Sequence, residues 1–198
     1  MNILIIHHWE RPSLNPLSFT KGEGIRTEHI GQGLEQHKVT VQYLCKEQNP
    51  KNWSTQINQT IQEANPDAVL CIQLEDALLI EEQTAPLILD LYAPRLLELS
   101  FETEERLSQT LLLAALSKGD LFLCTHSRQK WHWWGVLALA GVSLKEDPTC
   151  LVPLAVESME ISSKKPKEFQ LVGGGLLWAW QSFEESLQQI VMELDRQN

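Results

Sequence analysis

No stretch of this chain is apolar for long enough to cross a bilayer. The longest run, "GVLALAGV" at 135–142, falls far short of the roughly 20 residues that a spanning helix needs. Basic side chains are also scarce: 16 lysines and arginines stand against 26 aspartates and glutamates, a formal charge of −10. No lysine- or arginine-rich stripe offsets that balance, so a nucleic-acid partner is excluded on electrostatic grounds. Cysteine is sparse and dispersed. Cys45, Cys71, Cys124 and Cys150 occur singly, three of them inside or at the end of apolar runs. That is the pattern of buried reduced thiols in a cytosolic protein, not of a disulfide framework. Met1 leads straight into "NILII" with no basic n-region and no small-residue cleavage site, so no signal peptide is expected and the expected location is cytoplasmic. His7 and His8 are adjacent and have no cysteine or histidine at ligand spacing, so no metal is expected.

What is present is an alternation of short β-rich runs with longer helical patterns. "NILII" (2–6), "KVTVQYLC" (38–45), "DAVLCIQ" (67–73), "PLILDLY" (86–92), "DLFLCT" (120–125) and the weaker "TCLVP" (149–153) lack strict alternation. Strands covered on both faces read this way. Helices are predicted over 25–36, over 54–64 closed by "NPD", over 94–118, and from Thr125 to about 138. In the first, Ile30 and Leu34 share a face and Gly31 and Gly33 allow close packing. In the third, Leu107, Leu111 and Ala115 form the expected core stripe. The order predicts an α/β fold over residues 1–156: a Rossmann-like, doubly wound, mainly parallel sheet with helices on both faces. Residues 157–168, "ESMEISSKKPKE", read as a linker. Residues 169–198 then begin another unit. Phe169–Val172 is a strand, 173–175 a glycine turn, and Ser182 and Glu185 a capping-box pair. Leu187, Ile190, Val191 and Leu194 repeat at helical spacing on the helix that follows.

Ligands of open α/β sheets sit at the carboxyl ends of the strands, so the residues that follow each strand are the candidates. After the first come His7 and His8, which point to opposite sides if the strand continues. One of the two facing the crevice would serve as a polar contact or base; the alternative is a structural, hydrogen-bonded histidine. The loop then ends at Gly22 and Gly24 before a helix, where the backbone can approach a ligand and free N–H groups favour an anion. A G-x-G-x-x-T match to a dinucleotide fingerprint is superficial, because roughly fifteen residues intervene where that motif needs a tight turn. After the third strand comes "QLED" (73–76), with Glu75. At the end of the fourth, "LDLYAPR" (89–95) puts Asp90 and Tyr92 on one side of the strand. A carboxylate in an apolar strand is costly unless it is hydrogen-bonded or at the functional rim, which makes Asp90 a candidate base or hydroxyl-binding group. After the fifth, "HSRQKWHWWG" (126–135) supplies His126 and Arg128. Its Trp131, Trp133 and Trp134 fit either a buried helix or a sugar-stacking or membrane-interface surface.

This succession of segments resembles the N-terminal half of a bacterial family-4-like glycosyltransferase of the two-domain GT-B fold. "NILIIHHW", "GEGIRTEHIGQGLEQHKVTV", "NPDAVLCIQ", "PLILDLYAPRLLE", "SKGDLFLCTHSRQKWHWWG" and "LVPLAVE" carry the resemblance. "LVGGGLLWAW" is similar to the opening of the second domain in a bacterial subgroup. The resemblance implies a retaining enzyme that moves a sugar from a nucleotide-sugar donor to a glycan or lipid-linked acceptor. No metal and no cofactor besides that donor co-substrate are implied. The N-terminal domain of such enzymes holds the acceptor, and the C-terminal domain holds the nucleotide. Gly22 and Gly24 would approach the donor phosphates. Asp90 or Tyr92, the implied catalytic pair, stands where some relatives carry a histidine that this sequence lacks. His7, His8, Glu75, His126 and Arg128 complete the expected substrate-binding set.

The acidic E-x7-E segment of such a second domain is absent, and residues 173–180 lack arginine and lysine. The chain therefore reads as cut after the first strand–helix unit of that domain and as inactive alone. Residues 169–194 would fold back, pair in a homodimer or be covered by a second chain. A peripheral contact at the inner face of the membrane would suit a lipid-linked acceptor. The competing reading is a stand-alone, non-catalytic Rossmann-like module that binds a sugar or a partner subunit. A small nucleotide-dependent enzyme is disfavoured, because no phosphate-loop sequence is present.

Overall fold

The computed structural model describes residues 1–11, 22–46, 51–99, 105–154, 188–193 and 196. Six parallel strands form one sheet: β1 (Asn2–His7), β2 (Thr40–Cys45), β3 (Ala68–Cys71), β4 (Leu87–Asp90), β5 (Leu121–Cys124) and β6 (Thr149–Leu151). Between them run α1 (Gly22–Gln36), α2 (Trp53–Ala64), a 3₁₀ helix (Leu74–Leu79), α3 (Arg95–Leu99), α4 (Glu105–Leu116) and α5 (Ser127–Leu139). The spatial order is β2-β1-β3-β4-β5-β6. The chain steps from β1 to β2, then crosses back over β1 to β3 and adds every later strand in that direction. The reversal at β1 sends the segments after β1 and β3 apart and opens a crevice at their carboxyl ends.

Right-handed crossovers put α1 on one face and α2, α4 and α5 on the other. On the α1 face Ile3, Ile5, Leu70 and Ile72 pack with Ile30 and Leu34. On the opposite face Leu4, Ile6, Leu87 and Leu89 meet Ile57, Ile61, Leu112, Ala115, Leu116, Trp133 and Leu137. Burial on both faces is why β1 is continuously apolar. Gly31 is needed, since a Cβ there would collide with the Tyr43 phenol, and its absence lets α1 lie close on β2. Asn65 closes α2 in the left-handed conformation (φ 40°), with its N–H donating to the Ile61 carbonyl, and Pro66 cannot continue the helix.

Several details depart from the sequence reading. Helix α1 starts at Gly22, so Gly22 and Gly24 lie within its first turn and not ahead of it. Tertiary bonds from Glu23 and Arg26 hold that turn against the low helix propensity of glycine. Gly33 faces open space. The buried stripe of α4 is Leu112, Ala115 and Leu116, while Leu111 is exposed. The predicted 94–118 helix appears as α3 and α4, with 100–104 outside the described residues. Cys150 is exposed on the edge strand, the other three cysteines are buried, and none of the four is in a disulfide. The tryptophans divide: Trp133 is fully buried, and Trp131 is 64% exposed and edge-on to Trp134. The linker at 157–168, the strand and turn at 169–175, the capping box, Leu187 and Leu194 lie outside the described residues. Residues 188–193 are helical, with Ile190 and Val191 exposed. No helix among the described residues is long and apolar enough to cross a membrane.

Candidate functional site

The crevice is built on the first turn of α1. Glu23 there is 4% exposed and takes a hydrogen bond on each carboxylate oxygen. The His8 main-chain N–H donates to Oε1 at 2.7 Å, and the Gln73 amide donates to Oε2 at 2.6 Å. The turn is thereby pinned to the carboxyl ends of β1 and β3. Burial pushes the Glu23 carboxyl above its ordinary range, while those two donors pull the other way. One turn further, the Arg26 guanidinium forks onto Asp90, with Nε 2.5 Å from Oδ2 and Nη2 2.9 Å from Oδ1. It also donates to the carbonyls of Val152 and Pro153 beyond β6, at 3.2 and 3.4 Å. Burial raises the Asp90 carboxyl, and the hydrogen bonds and charge of Arg26 oppose the rise. An acid at the end of an apolar strand is explained here by an internal arginine that satisfies both of its oxygens.

On the other face of the sheet, the His8 ring places Nε2 3.1 Å from Asp76 Oδ1 and 3.0 Å from Oδ2. Asp76 lies on the 3₁₀ helix that follows β3 and is buried. The Trp53 indole at the start of α2 donates to its Oδ1 at 2.8 Å and meets the His8 ring edge-on. His7, one residue earlier, points the opposite way. Its ring is fully buried beside Tyr43, with Nδ1 2.9 Å from the Trp9 carbonyl and Nε2 without a partner. Burial lowers its pKa to about 4, so the ring is neutral at physiological pH.

Between these groups lies a cavity of about 910 Å³. His8, Glu23, Gln73 and Asp90 wall it, and Trp9 and Tyr92 add aromatic surface. At its mouth the Arg95 guanidinium is 2.7 Å from Glu75 Oε1 and 3.5 Å from Glu98 Oε2. Lys46, just beyond β2, also lines it. Burial, with the carboxylates of Glu23, Asp90 and Glu98 nearby, pushes the Tyr92 hydroxyl far up, so it stays a proton donor. Such a lining offers carboxylate acceptors, one phenol and flat apolar rings. It suits a ligand rich in hydroxyl groups.

Of the residues singled out in the sequence, His8, Gly22, Glu75, Asp90 and Tyr92 line this cavity together. His7, Gly24, His126 and Arg128 do not. His126 caps α5, its Nδ1 accepting from the Gln129 N–H at 3.2 Å, and Arg128 is exposed on the first turn. Gln129 in turn ties α5 to the cavity, donating to the Tyr92 carbonyl at 3.0 Å. The sequence reading passed over Glu23, Arg26, Trp53, Gln73 and Asp76. Gln73 and Asp76 were open to detection, because both stand in "QLED" directly after β3. Among the described residues no cluster of histidine, cysteine and acidic side chains is arranged to hold a metal.

No protein-family model matches the chain, and no curated protein matches it. Two solved structures of Anabaena Alr3699/HepE share part of the fold, one in complex with UDP-glucose and one with UDP and glucose. They superpose with TM-scores of 0.44 and 0.45 at 14% identity, over 79% of this chain. That stretch corresponds to 44% and 45% of their own length, so the chain spans less than half of either. A likeness of this degree assigns neither an activity nor a ligand.

Proposed function

We propose that residues 1–156 are the acceptor-side domain of a GT-B glycosyltransferase and that the cavity above β1, β3 and β4 holds the acceptor sugar. One observation carries this reading. A large cavity at the switch point of a parallel sheet is walled by buried carboxyl and amide groups and lined by aromatic rings. Carboxylates accept from sugar hydroxyls, and Trp9 and Tyr92 present flat faces to a pyranose ring. Four acidic side chains in the lining, against Lys46 and Arg95, disfavour a phosphate deep in the pocket, which supports a donor held elsewhere. The motif resemblance to family-4-like enzymes supports the same division of labour. In this reading 157–168 is a linker and 169–198 opens the donor-side domain. Transfer is not expected from residues 1–156 alone. Residues 169–194 then meet the rest of that domain or a partner chain, and the exposed Trp131 is the group through which a lipid-linked acceptor's membrane would be met.

Titration of the nitrogen-15-labelled chain with cellobiose, octyl glucoside and, separately, UDP-glucose tests the reading. Either glucoside should move the amide signals of Glu23, Gln73 and Tyr92, and UDP-glucose should leave them in place. The reverse pattern would make the cavity a donor site and end the acceptor reading.

A further inference from the structure

We propose that Lys46 anchors a carboxylate on the bound sugar, so that the acceptor taken by the cavity is a uronic acid or a glycan that carries one. The inference rests on the sugar-binding reading above and deepens it by naming the substrate class. Each acidic side chain of the lining already has partners of its own. Asp90 is forked by Arg26, Glu75 and Glu98 share Arg95, and Glu23 holds the His8 N–H and the Gln73 amide. Lys46 lines the same cavity, yet its ammonium has no carboxylate within ion-pair distance among the described residues. In a chain of formal charge −10, a half-buried lysine left without a counter-charge stands out, and the cavity is where a counter-charge can reach it.

The backbone fixes where that charge sits. The Lys46 N–H donates to the His7 carbonyl at 2.9 Å and carries the β1–β2 ladder one residue past β2. Sheet order puts β2 and β4 at opposite ends of the crevice, with β1 and β3 between them. Three strand spacings separate the two ends, about 14 Å. The crevice is therefore polarised, with a lone cation at its β2 end and the acid–arginine pairs beyond β3 and β4. A hexose seated on Glu23 and Gln73 occupies the middle. At about 910 Å³ the cavity is near the top of the about 300–1,000 Å³ range of small-molecule sites, so room remains toward Lys46 for a charged substituent. One ammonium matches one negative charge. A carboxylate supplies that single charge, whereas a phosphate monoester carries about 1.5–2 and would turn the excess on the acids of the lining.

Binding to the 198-residue chain of two probe pairs that differ only at C6, octyl glucoside with octyl glucuronide and glucose with glucose 6-phosphate, tests the proposal. Calorimetry reads affinity, and nitrogen-15 amide spectra read location. Octyl glucuronide should bind about tenfold tighter than octyl glucoside, the gain of one charge-assisted hydrogen bond, and should move the Lys46 amide together with those of Glu23 and Gln73. Lys46→Met keeps the apolar stem without the charge and should erase the difference between the two glycosides. Lys46→Arg should retain it, and added salt should narrow it. A glucuronide that binds no tighter than the glucoside overturns the proposal, and so does a preference that survives in Lys46→Met. In either case glucoside shifts at Glu23 and Gln73 leave the sugar-binding reading standing. A larger gain from the phosphate than from the carboxylate overturns the uronic-acid assignment. If no probe moves a signal in the cavity, the sugar-binding reading fails and the Lys46 subsite falls with it.

Discussion

The two sides of the sheet end differently at their carboxyl edge. On the α1 side the polar groups are closed off: Arg26 and Asp90 satisfy one another in the interior, and His7 is neutral against Tyr43. On the side of α2 and the 3₁₀ helix, His8 lines the cavity and its ring is held by the buried Asp76. Glu23 bridges the two, its backbone on α1 and its carboxylate held by His8 and Gln73. A buried charge is therefore not by itself a sign of a reactive site. Asp90 is well placed in the chain to be a base, yet its partner occupies both oxygens. Asp76 is as deeply buried, and its partner His8 lines the cavity.

Unpairing the closed side should have the largest consequence. Arg26→Ala leaves Asp90 buried without its cation and should lower unfolding stability by about 3–5 kcal/mol in urea titrations. The Arg26→Met, Asp90→Leu double variant should recover most of that loss. A cost below about 1 kcal/mol for Arg26→Ala would mean that Asp90 is free enough to do chemistry after all, and the contrast between the two sides would collapse.

His7 should produce the next largest effect, in its dependence on pH. Its folded pKa, about 4, lies below the unfolded value of 6.5, so between the two the unfolded chain binds a proton that the fold does not. Stability should therefore be full above about 6.5 and fall as pH drops toward 4. The contribution is on the order of 3 kcal/mol, because each tenfold change in proton affinity is worth about 1.4 kcal/mol. Thermal melts of His7→Phe should lose this part of the acid slope. An unchanged slope would show that His7 is reached by water in the fold.

On the open side the effects on stability should be smaller. Trp53→Phe keeps the ring but removes one donor from Asp76, and should cost about 1–3 kcal/mol in the same urea titrations. Glu23→Gln keeps the shape and can still accept from the His8 N–H, so stability should fall by less than about 1 kcal/mol. Its glucoside affinity should fall about tenfold, corresponding to about 1.4 kcal/mol, as read by calorimetry. Equal affinity in Glu23→Gln would move the ligand away from the first turn of α1.

The four central strands were legible because their apolar runs answer to burial on both sheet faces, while the edge strands β2 and β6 are partly exposed and β6 read more weakly. Helix α4 was less legible. Its leucines are spread around more than one face, and the choice of Leu112 and Leu116 over Leu111 was made by the position of the sheet. The site was half legible for a similar reason. His8, Glu75, Asp90 and Tyr92 stand directly after strands, and the rule that ligands gather there found them. Arg26 and Glu23 stand on a helix, 64 and 50 residues from the partners that define their roles, and no local pattern marks such pairs.

Local periodicity and the strand's period of two were enough to set the α/β layering, the alternation of strand and helix, and the opposite directions of His7 and His8. The strand order, the reversal at β1 and the identity of each buried charge's partner emerge only when the whole chain is packed. Those depend on which distant segments can bury their apolar faces together. Desolvation then favours the arrangement in which buried polar groups such as Glu23, Arg26 and Asp90 find hydrogen-bond partners from distant segments.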